Sequence, residues 1–306
     1  MFKTFLLCLI LTTSSFSYFL TPFKITTKIF NNENIKVYEP LNLDTNKNIL
    51  FFTGANSFIP GEVYSSFLSN VAQYNMTTYV CSNNLLTCND IYKTIEDTDE
   101  TIVVGHSTGC MNAIDFCNNN PNVKKIVLLD AVDNSYLYKQ KYNDIPNKIT
   151  DNLVKRVVDS AKILPFFKRL NYEAIEEDNG KLSLNDIDEV MFLNARKSYT
   201  WDLLDRKFPF IPAFGIHKNT IEYKNNNVNE IIIVAEEFGH TDILDEIWAN
   251  NMHNTISRGT EDRSSENLSL YHKWLATIIY IFAYNKNSLE VLTKDDIVKQ
   301  IKSKCE

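Results

Sequence analysis

Glycine and proline are scarce, with eight of each in 306 residues. That excludes collagen-like, Gly/Ser-linker and low-complexity architectures, and it makes the position of each glycine informative. Long Lys/Arg blocks are absent, and 31 basic side chains face 38 acidic ones for a net charge of -7. The chain therefore lacks the electrostatic footprint of a nucleic-acid binder, and no nucleic-acid partner is expected. It also lacks a CxxC pair, an HExxH motif or a His/Cys cluster, so no metal site is expected. There is no internal repeat and no evident linker, which favours one domain. Of six cysteines, Cys8 falls in an apolar run over residues 5–11. An oxidising compartment would permit a Cys81–Cys88 bridge, whereas Cys110 and Cys117 should lie two helical turns apart, about 10 Å, too far to be joined.

What is present is an ordinary globular composition, 44% hydrophobic and 23% charged. The chain opens with Lys3 in a short polar start, an apolar run over residues 5–11, and small residues at Ser15 and Ser17. This is the layout of a signal peptide over 1–17, leaving 18–306 as the mature domain. Thr12 to Ser15 interrupts the run before the roughly 20 apolar residues that a membrane span needs. The expected destination is the secretory pathway, secreted or lumenal; in a photosynthetic cell the same segment could open a two-step plastid address.

Short β-rich apolar runs alternate with helical patterns. Strands are expected over 48–54, 77–80, 101–104, 125–130 and 230–235, and helices over 63–74, 90–96, 110–118, 243–250 and 270–284. Continuous apolar strands alternating with helices imply an α/β fold: a mostly parallel sheet covered on both faces. Residues 134–207 break the rhythm. Leu153, Val154, Val157, Val158, Ala161 and Leu164 recur at helical spacing, so a helical insert or lid over the carboxyl edge of the sheet is expected. Phe166 and Phe167, which follow, are candidates for an apolar substrate-binding wall.

Gly105-His106-Ser107-Thr108-Gly109 joins an expected strand to an expected helix, the context in which G-x-S-x-G carries meaning. A serine hydroxyl is a weak nucleophile and needs a base, which in turn needs an acid to orient it. Asp130 ends the next strand and is the candidate acid; Asp133, three residues on, is the alternative. Of five histidines, His240 alone follows a late strand in a loop with a flanking glycine, and it is the candidate base. His106, beside the serine, is expected to point away from the site, and Asp242 to cap the helix that follows it. The oxyanion of an acyl transfer would be met by the backbone N–H groups of Thr108 and Ala55.

Three segments resemble the chlorophyllase branch of the α/β-hydrolases. Residues 105–110, Gly-His-Ser-Thr-Gly-Cys, resemble that family's Gly-His-Ser-Arg-Gly-Gly. Residues 129–134, Leu-Asp-Ala-Val-Asp-Asn, resemble its Leu/Ile-Asp-Pro-Val-Asp-Gly. The most specific is 233–245, which contains Phe238-Gly239-His240-Thr241-Asp242-Ile243-Leu244-Asp245 and is similar to the family's Tyr-Gly-His-Met-Asp-Met-Leu-Asp. The resemblance runs in order from about residue 48 to 284 and implies an α/β-hydrolase fold with Ser107, Asp130 and His240 as the triad. Thr108 and Cys110 replace the family's Arg and Gly, and 133–207 does not match. The spacing from serine to Asp130 also resembles platelet-activating-factor acetylhydrolases.

The resemblance implies cleavage of the phytyl ester of chlorophyll, giving chlorophyllide and phytol. A generic lipase, esterase or phospholipid-acyl hydrolase is the alternative within the class. A hydrolase-fold protein that binds an apolar ligand without turnover is the alternative outside it. The expected partner is a small apolar ester, chlorophyll or lipid, with contact to a membrane surface as a further expectation and no oligomeric state implied.

Overall fold

A computed structural model describes residues 21–41, 47–57, 59–81, 84–95, 101–133, 177–178, 181–195, 214–216, 221–225, 227–235, 238–250 and 265–284. The expected leader 1–17 and the pair Phe166 and Phe167 lie outside them, as does most of the expected insert.

Eight strands form one sheet: β1 (Phe23–Phe30), β2 (Glu33–Pro40), β3 (Lys47–Phe52), β4 (Met76–Cys81), β5 (Thr101–His106), β6 (Lys125–Leu129), β7 (Glu189–Ala195) and β8 (Asn229–Ala235). Their order is β1-β2-β4-β3-β5-β6-β7-β8. From β4 to β8 every neighbouring pair is parallel. β1 and β2 form an antiparallel hairpin, and β2 runs antiparallel to β4. This is the α/β-hydrolase fold, with the expected mostly parallel sheet at its centre.

The alternation of side chains along each strand divides the core in two. Ile49, Phe51, Ile102, Val104, Val127, Leu129, Met191 and Leu193 face one layer. There they meet helices α1 (Ser65–Gln73) and α4 (Ser265–Tyr284). Leu50, Phe52, Val103, Ile126, Leu128, Val190 and Phe192 face the other, against α2 (Leu85–Ile95) and α3 (Gly109–Asn119). Each fully buried Leu, Ile or Phe contributes on the order of 2 kcal/mol, so the central strands are fixed by burial on both faces. No helix among the described residues is long and apolar enough to cross a membrane.

The structure departs from the helical insert expected over 134–207, and it adds two features. First, the stretch 134–207 is not helical throughout: β7 lies inside it and is a buried central strand between β6 and β8. Its first residue, Glu189, pairs in register with Lys125, and both are buried. The Lys125 ammonium lies 3.8 Å from Glu189 and donates to the carbonyls of Phe282 and Ala283, each at 3.3 Å, where α4 ends. A cation there also complements the helix dipole. Second, β1 and β2 turn at Asn31 and Asn32, both in the left-handed region at φ 47° and 62°. Asparagine tolerates that region, so a tight hairpin forms without the glycine that usually announces one. Third, Cys81 and Cys88, for which a bridge was permissible, are buried free thiols, as are Cys110 and Cys117.

Candidate active site

The site is assembled at the carboxyl ends of β3, β5, β6 and β8. Ser107 follows β5 directly and adopts φ 55°, a left-handed conformation in a residue with a Cβ. Such a conformation costs on the order of 1–3 kcal/mol and persists only where neighbours enforce it. Here the Ser107 N–H donates to the carbonyl of Leu129 at 3.0 Å, and its own carbonyl accepts from Cys110 and Val132, each at 3.1 Å. The flanking glycines allow the crowding. A Cβ on Gly105 would lie 2.7 Å from the Cα of Cys110, and one on Gly109 only 2.1 Å from the carbonyl oxygen of Thr53. Gly109 thus lets α3 press against the end of β3, a neighbour invisible in the local motif.

Asp130 directly follows β6, at φ 42°. Its N–H donates to the carbonyl of Leu193 at 2.7 Å, and its Oδ1 accepts from the N–H of Ala195 at 3.1 Å. Both partners belong to β7, the strand that the sequence patterning concealed. The other oxygen, Oδ2, accepts from His240 Nδ1, and His240 Nε2 lies 2.8 Å from Ser107 Oγ. With Nδ1 donating to the carboxylate, Nε2 is left as the acceptor for the serine O–H. Asp130 and His240 are buried and Ser107 is half-buried. A hydroxyl, an imidazole and a carboxylate in this order can move a proton off the serine and stabilise the resulting imidazolium. Asp130 is the carboxylate that reaches His240; Asp133 pairs through its backbone with Phe214 in a two-residue ladder.

His240 sits in a tight turn after β8. Asp242 folds that turn by accepting from the N–H of Gly239 at 2.7 Å. It does not cap a following helix, because turns occupy 240–244 and the helix begins at 246. Asp245 serves a different helix: it accepts from the N–H of Ser66 at 2.9 Å in the first turn of α1 and donates its own N–H to the carbonyl of Val63 at 2.8 Å. Burial raises the Asp245 pKa from its ordinary value, against the backbone N–H groups of Ser66 and Ser65, which lower it. Phe238 stacks on Tyr271 at 3.9 Å between ring centroids, and Tyr271 on Trp274 at 5.7 Å, so an aromatic column from α4 backs the turn.

Two further histidines meet the turn. His272 of α4 donates from Nε2 to the carbonyl of Asp242 at 2.9 Å, and its Nδ1 lies 2.8 Å from Ser66 Oγ. Burial pushes its pKa down to about 4. His106, expected to point away, instead packs 5.0 Å from the His240 ring, and its Nε2 lies 3.0 Å from the His240 carbonyl. Burial, followed by the nearby His240, pushes its pKa down to about 3 despite the opposing charge of Asp130. Neither contact was legible in sequence, since each depends on which element packs against the turn.

Thr108 precedes α3 in helical conformation. Ala55 lies in the helical turn Gly54–Ser57 after β3, the strand beside β5. That turn is tied down by Ser57 N–H to the Thr53 carbonyl at 2.9 Å, by Gly54 N–H to the Tyr64 hydroxyl at 2.9 Å and by Asn112 Nδ2 to Ser57 Oγ at 3.1 Å. Because Gly54 spends its N–H on Tyr64, the next N–H in the turn is that of Ala55. Among the described residues no group of three or more His, Cys, Asp or Glu side chains could hold a metal ion.

The sequence matches no protein-family model and no curated protein. Solved structures similar to the chain include the esterase domain of a Rhodothermus marinus protein, at 10% identity and TM-score 0.43, covering 85% of this chain and 98% of that one. The esterase EstE5 is similar at 8% identity and TM-score 0.46, covering 84% and 85%. A Pyrococcus furiosus esterase is similar at 11% identity and TM-score 0.36, covering 58% and 71%.

Proposed function

We propose that this protein is a serine hydrolase that cleaves carboxylic esters through an acyl-enzyme on Ser107. The observation that carries the reading is the unbroken hydrogen-bonded chain from Ser107 through His240 to Asp130 at the rim of the sheet. His240 Nε2 takes the serine proton as Oγ attacks the ester carbonyl, and Asp130 stabilises the imidazolium. The N–H groups of Ala55 and Thr108 receive the developing oxyanion; losing one such donor typically costs about 100- to 1,000-fold in turnover. The protonated His240 then gives its proton to the departing alcohol, and water, deprotonated by the same imidazole, releases the acid. No step requires a cofactor.

Within that class the substrate we favour is the phytyl ester of chlorophyll, supported by the resemblance of the three segments that hold Ser107, Asp130 and His240. A purified protein given chlorophyll, triglyceride, phospholipid and a chain-length series of p-nitrophenyl esters should release chlorophyllide. Cleavage of short p-nitrophenyl esters with chlorophyll left intact would overturn the substrate and keep the class. A protein that leaves every ester intact and takes up no fluorophosphonate would overturn the class.

A further inference from the structure

Two buried polar side chains beside the site have no part in the proton path: Tyr64 and His106. Every proton between them can be assigned. The carbonyl of His240 can only accept, so the N–H of His106 is on Nε2. Burial, with His240 nearby, holds the His106 ring neutral, which leaves Nδ1 bare. The Tyr64 hydroxyl, 2.9 Å from Nδ1, therefore donates to it and accepts the Gly54 N–H, also at 2.9 Å. The result is a continuous relay from Gly54 N–H to Tyr64 O–H to the His106 ring to the carbonyl of His240.

Its two ends are the two backbone segments whose separation matters most for acyl transfer. Gly54 opens the turn that presents the Ala55 N–H, and His240 carries the base. The relay is tightly held between them. The Tyr64 ring packs edge-on against Phe51 at 5.1 Å and against His106 at 5.6 Å. A Cβ on Gly54 would come within 3.0 Å of the Tyr64 oxygen and 3.3 Å of His106 Nδ1. Asp130 fixes the His240 ring through Nδ1, but only His106, at Nε2, connects the main chain of the base to the turn from β3 among the contacts described.

We propose that Tyr64 and His106 are positioning residues, which hold the main chain of the base and the oxyanion turn in one frame through a single-tautomer hydrogen-bond relay. This rests on the serine-hydrolase reading, and neither residue touches the substrate. A displacement of about 1 Å in such a frame lowers turnover by about 100-fold.

The test combines kinetics with the ring nitrogens of the protein labelled with 15N-histidine. Tyr64→Phe removes the central hydroxyl and His106→Leu the whole ring, whereas His106→Gln keeps an N–H within reach of the His240 carbonyl. With p-nitrophenyl acetate, well below each variant's melting temperature, Tyr64→Phe and His106→Leu should lower kcat by about 10- to 100-fold. KM should stay within about twofold, and His106→Gln should regain most of the loss. In the unmodified protein the His106 ring should show the neutral Nε2–H tautomer from about pH 8 to pH 5. A ring protonated on Nδ1, titration near the ordinary histidine pKa, or variants that melt earlier but keep full kcat would overturn the proposal. Were no ester cleaved, the hydrolase reading would fall, while the ring-nitrogen signals would still decide the relay.

Discussion

Acidification from pH 7 to pH 5 should strip the folded state of about 4 kcal/mol through two histidines, His106 and His272. In the unfolded chain each titrates near 6.5, whereas in the fold burial pushes them to about 3 and about 4. The unfolded state therefore binds more protons between pH 6.5 and the folded values, and stability falls as the pH is lowered through that window. At pH 5 each ring sits about 1.5 pH units below its unfolded pKa and is still neutral in the fold, which amounts to roughly 2 kcal/mol apiece. Both side chains are almost wholly buried, at 3% and 1% exposure, so solvent does not screen the effect. Four kcal/mol is a large share of the roughly 5–15 kcal/mol that holds a domain together. Urea unfolding at pH 7 and pH 5 reads the loss directly, and comparison with His272→Gln removes the contribution of carboxylates. Glutamine can keep a hydrogen bond to the carbonyl of Asp242 but does not titrate, so the pH-dependent loss should shrink by about 2 kcal/mol. An identical pH dependence in the two proteins would refute the argument.

Gly109→Ala should destabilise by about 1–3 kcal/mol or more, because the added carbon lands on the Thr53 carbonyl at 2.1 Å. Turnover should fall with it, since relief means moving α3 away from the turn that holds Ala55; melting and ester assays on one preparation check both. Lys125→Met leaves Glu189 buried with its facing cation gone, for an expected loss of about 3–5 kcal/mol by urea midpoint. Lys125→Met combined with Glu189→Leu should recover most of that loss. Asp130→Asn should fold normally yet lower kcat by about 10,000-fold, because the amide cannot stabilise the imidazolium or hold His240 in the required tautomer.

The central strands were legible because 49–52, 102–104 and 126–129 are apolar on both faces, and burial on both faces is what that pattern means. The serine turn was legible because two of only eight glycines flank it at the right spacing. β7 was hidden by its own chemistry. Its run begins with a buried glutamate paired to a lysine on the next strand, so charge that reads as surface belongs to the core. The β1–β2 hairpin was hidden because its turn uses asparagines and because Ile25 and Ile29 face solvent rather than the core. At the site, Ser107, Asp130 and His240 could be chosen from their places after strands. The supporting contacts could not: Ala195, Tyr64, His106 and His272 act through elements distant in sequence, and only packing decides which atoms they meet. His106 shows the difference plainly, since its place in the motif says nothing about the carbonyl 134 residues away that it holds.

The most direct test of the account is covalent labelling of the folded protein with a fluorophosphonate, followed by peptide mapping. The adduct should sit on Ser107 alone. Ser107→Ala should take up no label and lose roughly a million-fold in ester turnover. Cleavage that survives in Ser107→Ala, or a label carried by any other residue while Ser107 stays unmodified, would contradict it.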